Sequence, residues 1–470
     1  MNSSTTTHDG NHPHAPGART MSRALAASAV ALAVIAVNLM QACVYRPPAS
    51  LDSPENVYAI IDSAPYVEAT VREREVVVDD PGKLHVEHGR SCAEAREAAS
   101  EDYIGMRITE SIELPAGYTG TVYQNGYDLE YLSKDHHVVG LGSAIYNIHT
   151  LNNILFWDAG GVISDRNGDD SYRWCYAYTV VAWPEVTRAP GGAVRFFDRL
   201  DIAVTHADQH ASLIYTDLGS GGVHRIKGVY QSPDVKPKAV LLAGFATSFT
   251  DDDHHVLQFG FDLGTPKIRN RKVKWRSDVA FKDNDTREFR SAEIVSVLGG
   301  QSVYLFQPQT VTRLPGTEGA GAVNNHLRLQ ARSPRSCGAA LGTPALKREE
   351  FVVQTPPYTW AMPMLTGWDL AETCGDEHKR RIGAWIEDFS YQRLPGDSFG
   401  TLRYTVRSAF GDKDPFGFGD RLQVDVLGIK PVLQLIDGII DQIGGDLVST
   451  PPTNPLPPSR GGTGTGPLQF

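Results

Sequence analysis

The chain has 470 residues, 41% hydrophobic and 21% charged, an ordinary globular composition with length for two to four domains. Its formal charge of −11 excludes a dedicated nucleic-acid or anionic-membrane surface, because such surfaces recruit phosphates with surplus lysine and arginine. The one basic run, Lys267 to Arg276, is interleaved with Ile268, Val273 and Trp275 and reads as strand carrying solvated charge.

Residues 1–20 are polar and rich in histidine, and Met21-Ser22-Arg23 would make a normal start. If Met21 is the initiator, His8, His12 and His14 carry no function; a metal-handling leader is the alternative. Arg23 precedes an apolar run from Ala24 to Met40, broken only by Ser28 and Asn38, and then Gln41, Ala42 and Cys43. This order is that of an export signal with a small-residue cleavage site. Leu39-Met40-Gln41-Ala42-Cys43 resembles the lipobox of bacterial prolipoproteins, over roughly the first tenth of the chain. The resemblance implies acylation of Cys43, anchorage to a membrane through the N-terminal lipid, and a location in the cell envelope on the exported side. A retained signal anchor is the alternative, since the run is at the short end for crossing a bilayer.

Residues 44–115 hold a short helical candidate near Cys92 to Ser100, and their fold is left open. Beyond Cys43, an even number of cysteines remains: Cys92, Cys175, Cys337 and Cys374. An oxidising compartment allows them up to two disulfides, in any of three connectivities. His85-Val86-Glu87-His88 and His206-Ala207-Asp208-Gln209-His210 gather polar donors but match no zinc motif, and read as solvated or turn histidines.

The strongest signal in the body is self-similarity. Gly126-Tyr127 is followed by Asp135, His137 and Gly142; Gly244-Phe245 by Asp253, His255 and Gly260; Gly367-Trp368 by Asp376, His378 and Gly383. The pattern Gly-aromatic-x7-Asp-x-His-x4-Gly thus recurs three times with fixed spacing, at periods of 118 and 123 residues. A second block pairs Trp157 with Asp165, Trp275 with Asp283 and, after an insertion, Tyr404 with Asp412. Each block ends Asp-x-Asn/Asp, in Asp165 and Asn167, Asp283 and Asp285, and Asp412 and Asp414.

Local patterning is β. Tyr172 to Trp183 is almost wholly aromatic, β-branched or small, and Thr401 to Phe410 alternates with period two. The expected fold is therefore mainly β: three tandem antiparallel β-sandwich-like modules at 116–235, 236–355 and 356–449. Gly191 to Val204 and Gly299 to Thr312 would supply covering layers. Val432, Leu435, Ile436, Ile439, Ile440 and Ile443 predict a short C-terminal helix, and 450–470 has the composition of a disordered tail.

If the four strands of a module run up and down, its first and third turns fall at one end. Asp135, His137, Asp165 and Asn167 would then meet, as would Asp253, His255, Asp283 and Asp285, and Asp376, His378, Asp412 and Asp414. Carboxylate and amide oxygens suit Ca2+, and imidazole with carboxylate suits another divalent metal. Caps on tight turns would explain the same recurrence. Asp165 to Asp169 opens like an EF-hand loop, yet Asp170 stands at the required glycine. Gly396-Asp397-Ser398-Phe399-Gly400 fits the nucleophile-elbow pattern, but a strand follows where a helix is needed.

Repetition favours binding over catalysis, because an enzyme needs one site and copies raise avidity. The expected function is a non-catalytic envelope protein that binds a glycan, protein or surface component, or serves a structural role. The alternative is a secreted metal-dependent hydrolase using one module's Asp/His cluster.

Overall fold

The computed structural model describes residues 61, 63–80, 84–95, 105–133, 136–165, 170–184, 205–206, 224–231, 239–249, 256–264, 267–269, 272–283, 289–299, 303–305, 309–313, 321–323, 327, 346–358, 360–372, 378–394, 396–411 and 418–429. The protein is mainly β, and every named element among these residues is a strand. Three strands precede the first repeat: β1 (Val71–Asp80), β2 (Leu84–Ala95) and β3 (Met106–Glu113). The first repeat supplies β4 (Tyr118–Tyr131), β5 (Gly140–Leu151), β6 (Ile154–Ser164) and β7 (Tyr172–Pro184). After β8 (Thr205–His206) and β9 (His224–Gln231), the second supplies β10 (Ala239–Phe249), β11 (Val256–Leu263), β12 (Lys267–Arg269), β13 (Lys272–Asp283) and β14 (Phe289–Gly299). After β15 (Val303–Leu305), β16 (Gln309–Arg313), β17 (Gly321–Val323) and β18 (Leu346–Thr355), the third supplies β19 (Trp360–Glu372), β20 (Arg381–Gln392), β21 (Gly400–Gly411) and β22 (Phe418–Ile429).

The strands form three sheets. Sheet 1 runs β1-β2-β7-β4-β20-β21-β18; sheet 2 runs β3-β6-β5-β10-β14-β8; sheet 3 runs β12-β13-β11-β19-β22-β16-β17, with β9 on β13 and β15 on β22. The four strands of a repeat do not lie side by side in one sheet, as an up-and-down order would have them. In each repeat the first and fourth strands pair in one sheet, and the middle hairpin pairs in the next. Thus β5 of the first repeat joins β10 of the second, β11 of the second joins β19 of the third, and β20 of the third returns to β4. The repeats close a three-membered ring, and each sheet is shared between two of them.

The recurring glycines are the joints of that ring. At each junction the second glycine of one copy pairs, in the same register, with the residue two places after the first glycine of the next: Gly383 opposite Asp128, Gly142 opposite Ala246, and Gly260 opposite Asp369. Two positions earlier, Gly126 faces Trp385, Gly244 faces Ala144 and Gly367 faces Asp262. On the other side of the same strands the ladder is interrupted at one equivalent place, between Gln124 and Gly126, Leu242 and Gly244, and Leu365 and Gly367. Each bulge inserts one residue and turns the strand more sharply, which lets it bend away from its own repeat toward the neighbour. Gly126 adopts φ +140°, and a Cβ there would lie 2.2 Å from the Trp385 Cα, so only glycine fits.

The residue after each joint glycine points to the common interior. Tyr127, Phe245 and Trp368 are buried and pack as a mutual trio, with ring centroids 4.6 Å, 5.0 Å and 5.1 Å apart. Edge-on and tilted contacts of this kind add about 0.5–1.5 kcal/mol per pair beyond area burial. The bulge residue Asn125 ties sheet 1 to sheet 3: its Nδ2 donates to the Pro363 carbonyl at 3.1 Å, and its Oδ1 accepts from the Leu365 N–H at 3.0 Å. Pro363 has no N–H to give a ladder, and it lies outside the stretch of β19 that β11 pairs.

Other sequence expectations are refined or lie outside the described residues. The segment at Cys92 is not helical: Cys92 to Ala95 end β2, where Cys92 sits directly opposite Cys175 of β7 and forms a disulfide with it. Of the segment expected as a covering layer, β15 and β16 pair with β22 and so belong to sheet 3. Gly191 to Val204, Cys337, Cys374, the predicted C-terminal helix, the export signal and the tail lie outside the described residues.

Candidate functional site

The first and third turns of the first repeat do meet, although their strands belong to two sheets. The Val139 N–H donates to the Ser164 carbonyl at 2.8 Å, and Leu132 N–H to the Ser171 carbonyl at 2.9 Å. Between these bonds His136 Nδ1 lies 3.1 Å from Asp165 Oδ2 and 3.1 Å from Asp170 Oδ2. The expected partner, His137, goes elsewhere. Neighbouring residues of an extended chain point to opposite sides, so the step from 136 to 137 reverses the imidazole. His136 faces the turn carboxylates, and His137 stacks on His378 of the third repeat. Backbone bonds in both directions between His136 and Lys379 hold that junction.

Among the other predicted ion ligands, Asp283 closes β13 with only its backbone described. Asp135, Asn167, Asp253, His255, Asp285, Asp376, Asp412 and Asp414 lie outside the described residues. The three atoms of His136, Asp165 and Asp170 lie within 4.8 Å of one another and are the one such metal-competent group among the described residues. Neither His136 nor Asp170 occupies the recurring position, so the repeat pattern does not mark them; the adjacent pair His136-His137 was the available signal.

Ser398 does not sit on an elbow. Its loop is a turn, closed by the Asp397 N–H donating to the Leu394 carbonyl and by the Asp397 carboxylate accepting from the Leu394 N–H. It runs directly into β21. A strand there offers no helix N-terminus and none of the geometry of a nucleophilic serine.

A second arrangement was not legible in the sequence. Sheet 1 curls so far that β2 touches β20 across the two strands between them: His88 Nε2 lies 3.2 Å from the Glu387 carbonyl. The curl frames a cleft of about 460 Å³ lined by Arg74, Arg90, Arg381, Trp385, Glu387 and Arg407, among others. Asp128 fixes two of its guanidinium groups, Arg381 through two bonds of 2.7 Å and Arg90 through one of 2.6 Å. Both then lie over the Trp385 ring, at 5.0 Å for Arg90 and 5.7 Å for Arg381. Burial works against the Glu387 carboxylate, but hydrogen bonds from Arg407 and Arg348 hold it below its usual range.

His88 is a structural part of this cleft and no ligand for a metal. It is buried, and burial pushes its imidazolium down to about 4. Its Nδ1 lies 3.1 Å from Thr179 Oγ1, which also accepts from Asn125 Nδ2 at 2.7 Å. A neutral ring with its proton on Nε2 satisfies the whole chain: Nε2–H donates to the Glu387 carbonyl, and Thr179 O–H donates to Nδ1. His85 differs. Its Nε2 meets Glu87 at 2.8 Å, and that hydrogen bond raises its proton affinity although burial opposes it. The side chain of His206, on β8, is outside the described residues.

Compared with known protein families and with curated proteins, the chain matches none.

Proposed function

We propose that this is an exported protein of a bacterial cell envelope, anchored through a lipid on Cys43, that binds a surface glycan in the sheet 1 cleft without turning it over. The observation that carries the binding reading is the cleft itself: a concave face whose walls are arginine, glutamate and an arginine-covered tryptophan, polar groups suited to hydroxyls and carboxylates. The leader pattern and the Cys92–Cys175 bridge support export, because disulfides persist in oxidising compartments. The ring closure bears on how the repeats act: they build one scaffold with shared sheets, so avidity along a string of beads is not the reason for their number.

A glycan array with the full chain tests binding, beside Arg407→Ala and Arg90→Ala. Glycan retention that falls at least tenfold in both variants supports the reading; retention unchanged in both, or no retention at all, sinks it. Incorporation of a labelled fatty acid, lost in Cys43→Ser, tests the anchor. The rival reading, a metal-dependent hydrolase, draws on His136, Asp165 and Asp170, and turnover of generic ester or phosphoester substrates would favour it.

A further inference from the structure

His136 Nδ1 faces two carboxylate oxygens at the same distance, 3.1 Å from Asp165 and 3.1 Å from Asp170. The His136 nitrogen and the two carboxylate oxygens lie within 4.8 Å of one another, close enough for one ion to touch all three. The group is sheltered: the Asp165 side chain is 8% exposed and that of His136 12%. The turns that carry the three residues are independently fixed by the bonds from Val139 to Ser164 and from Leu132 to Ser171.

We propose that His136, Asp165 and Asp170 bind one transition-metal dication, best matched by Zn2+, which clamps the two turns of the first repeat where they meet the third. One imidazole nitrogen and two carboxylate oxygens make the donor set of zinc or manganese sites, with water completing the coordination. Ca2+ takes six to eight oxygens and uses imidazole poorly. Because the His136 backbone pairs with Lys379, the ion fixes the junction at which the third repeat returns to the first. This is a site distinct from the glycan cleft, and it stands whether or not the cleft binds a glycan.

Calorimetric titration of the full chain, purified in detergent and stripped with chelator, tests it with ZnCl2 and CaCl2. Wild type is expected to bind one equivalent of Zn2+ more than His136→Ala, Asp165→Asn or Asp170→Asn, at least tenfold tighter than Ca2+, and to melt higher with Zn2+. His8, His12 and His14 are common to all these proteins, so only the difference counts. His149→Ala, at an exposed histidine, is expected to keep the wild-type stoichiometry. Asp170 is the most exposed of the three, its side chain 23% accessible, so Asp170→Asn is the variant safest for folding. Equal stoichiometry and equal zinc-dependent melting in wild type and Asp170→Asn overturn the proposal. A Zn2+ site matched in affinity by Ca2+ overturns the assignment of the metal.

Discussion

The imidazoles of His137 and His378 stack with centroids 4.4 Å apart and planes 4° from parallel. They occupy the same position of the repeated motif, in the first copy and the third. In these two copies the histidine makes a contact between copies, as the motif's glycines do at all three junctions. These motif residues serve the joining of copies more than any site confined to a single copy.

Removing the cross-strand bridge between Cys92 and Cys175 releases a loop with a sequence separation of 83 residues. The paired substitution Cys92→Ala with Cys175→Ala is expected to cost about 2–4 kcal/mol. Denaturant melts of the variant and of reduced wild type should agree. A midpoint equal to that of the oxidised protein would refute this.

Gly126→Ala should be far more damaging than Gly117→Ala. Both glycines have positive φ, so both substitutions carry backbone strain, but only Gly126 has the Trp385 backbone against it; nothing lies within 4 Å of a Cβ at Gly117. The expected gap is on the order of 2 kcal/mol or more in favour of the Gly117 variant. Equal melting temperatures would mean that the ring junction has room for a methyl group.

Asp262 and Asp425 of sheet 3 are buried, and burial is the main cause that pushes their carboxyls up, to about 8 and about 7; the charges of Asp278 and Asp425 add to the effect at Asp262. Unfolded carboxylates ionise near pH 4, so between about pH 4 and pH 8 the folded chain holds more protons than the unfolded one. Stability from these groups therefore falls as pH rises through that window, by on the order of a few kcal/mol. Asp262→Asn should flatten the decline between about pH 4 and pH 8 in thermal melts. A decline as steep as in wild type would show that the carboxyl is solvated.

His88 works in the opposite direction. Its buried ring resists protonation down to about pH 4, while the unfolded histidine takes up a proton near pH 6.5. The unfolded state then binds more protons in that interval, and stability is lost as pH falls from about 6.5 to 4. The ring resonances of His88 should titrate near pH 4 in NMR, and His88→Asn should reduce the loss of stability on that acid limb. A midpoint at the ordinary histidine value would contradict the burial of this ring.

The sequence disclosed the β character and the strands around the motif because aromatic and β-branched runs leave few alternatives, as at Tyr172 to Trp183 and Thr401 to Phe410. It also disclosed which residues recur. It could not disclose what they touch, because Gly383 finds Asp128 across more than two repeats of chain, and register across such a gap leaves no local trace. The histidine of the candidate metal group lies one position before the recurring one, and the period of two in extended chain makes that single step decide which side the imidazole faces. The cleft was invisible because it depends on curl: Arg90 and Trp385 are brought together only by the bending of sheet 1.

The cyclic pairing also constrains the order of assembly. Synthesis delivers β4 early, yet its partner β20 begins at Arg381, so the first repeat waits with an unpaired strand edge until the third has been made. An exposed edge of that kind invites pairing with another molecule. A chain cut short after its second repeat would thus be expected to aggregate instead of forming a smaller version of the protein, and a fourth copy would find no free joint to enter. Three is the copy number at which this architecture has no vacancy left.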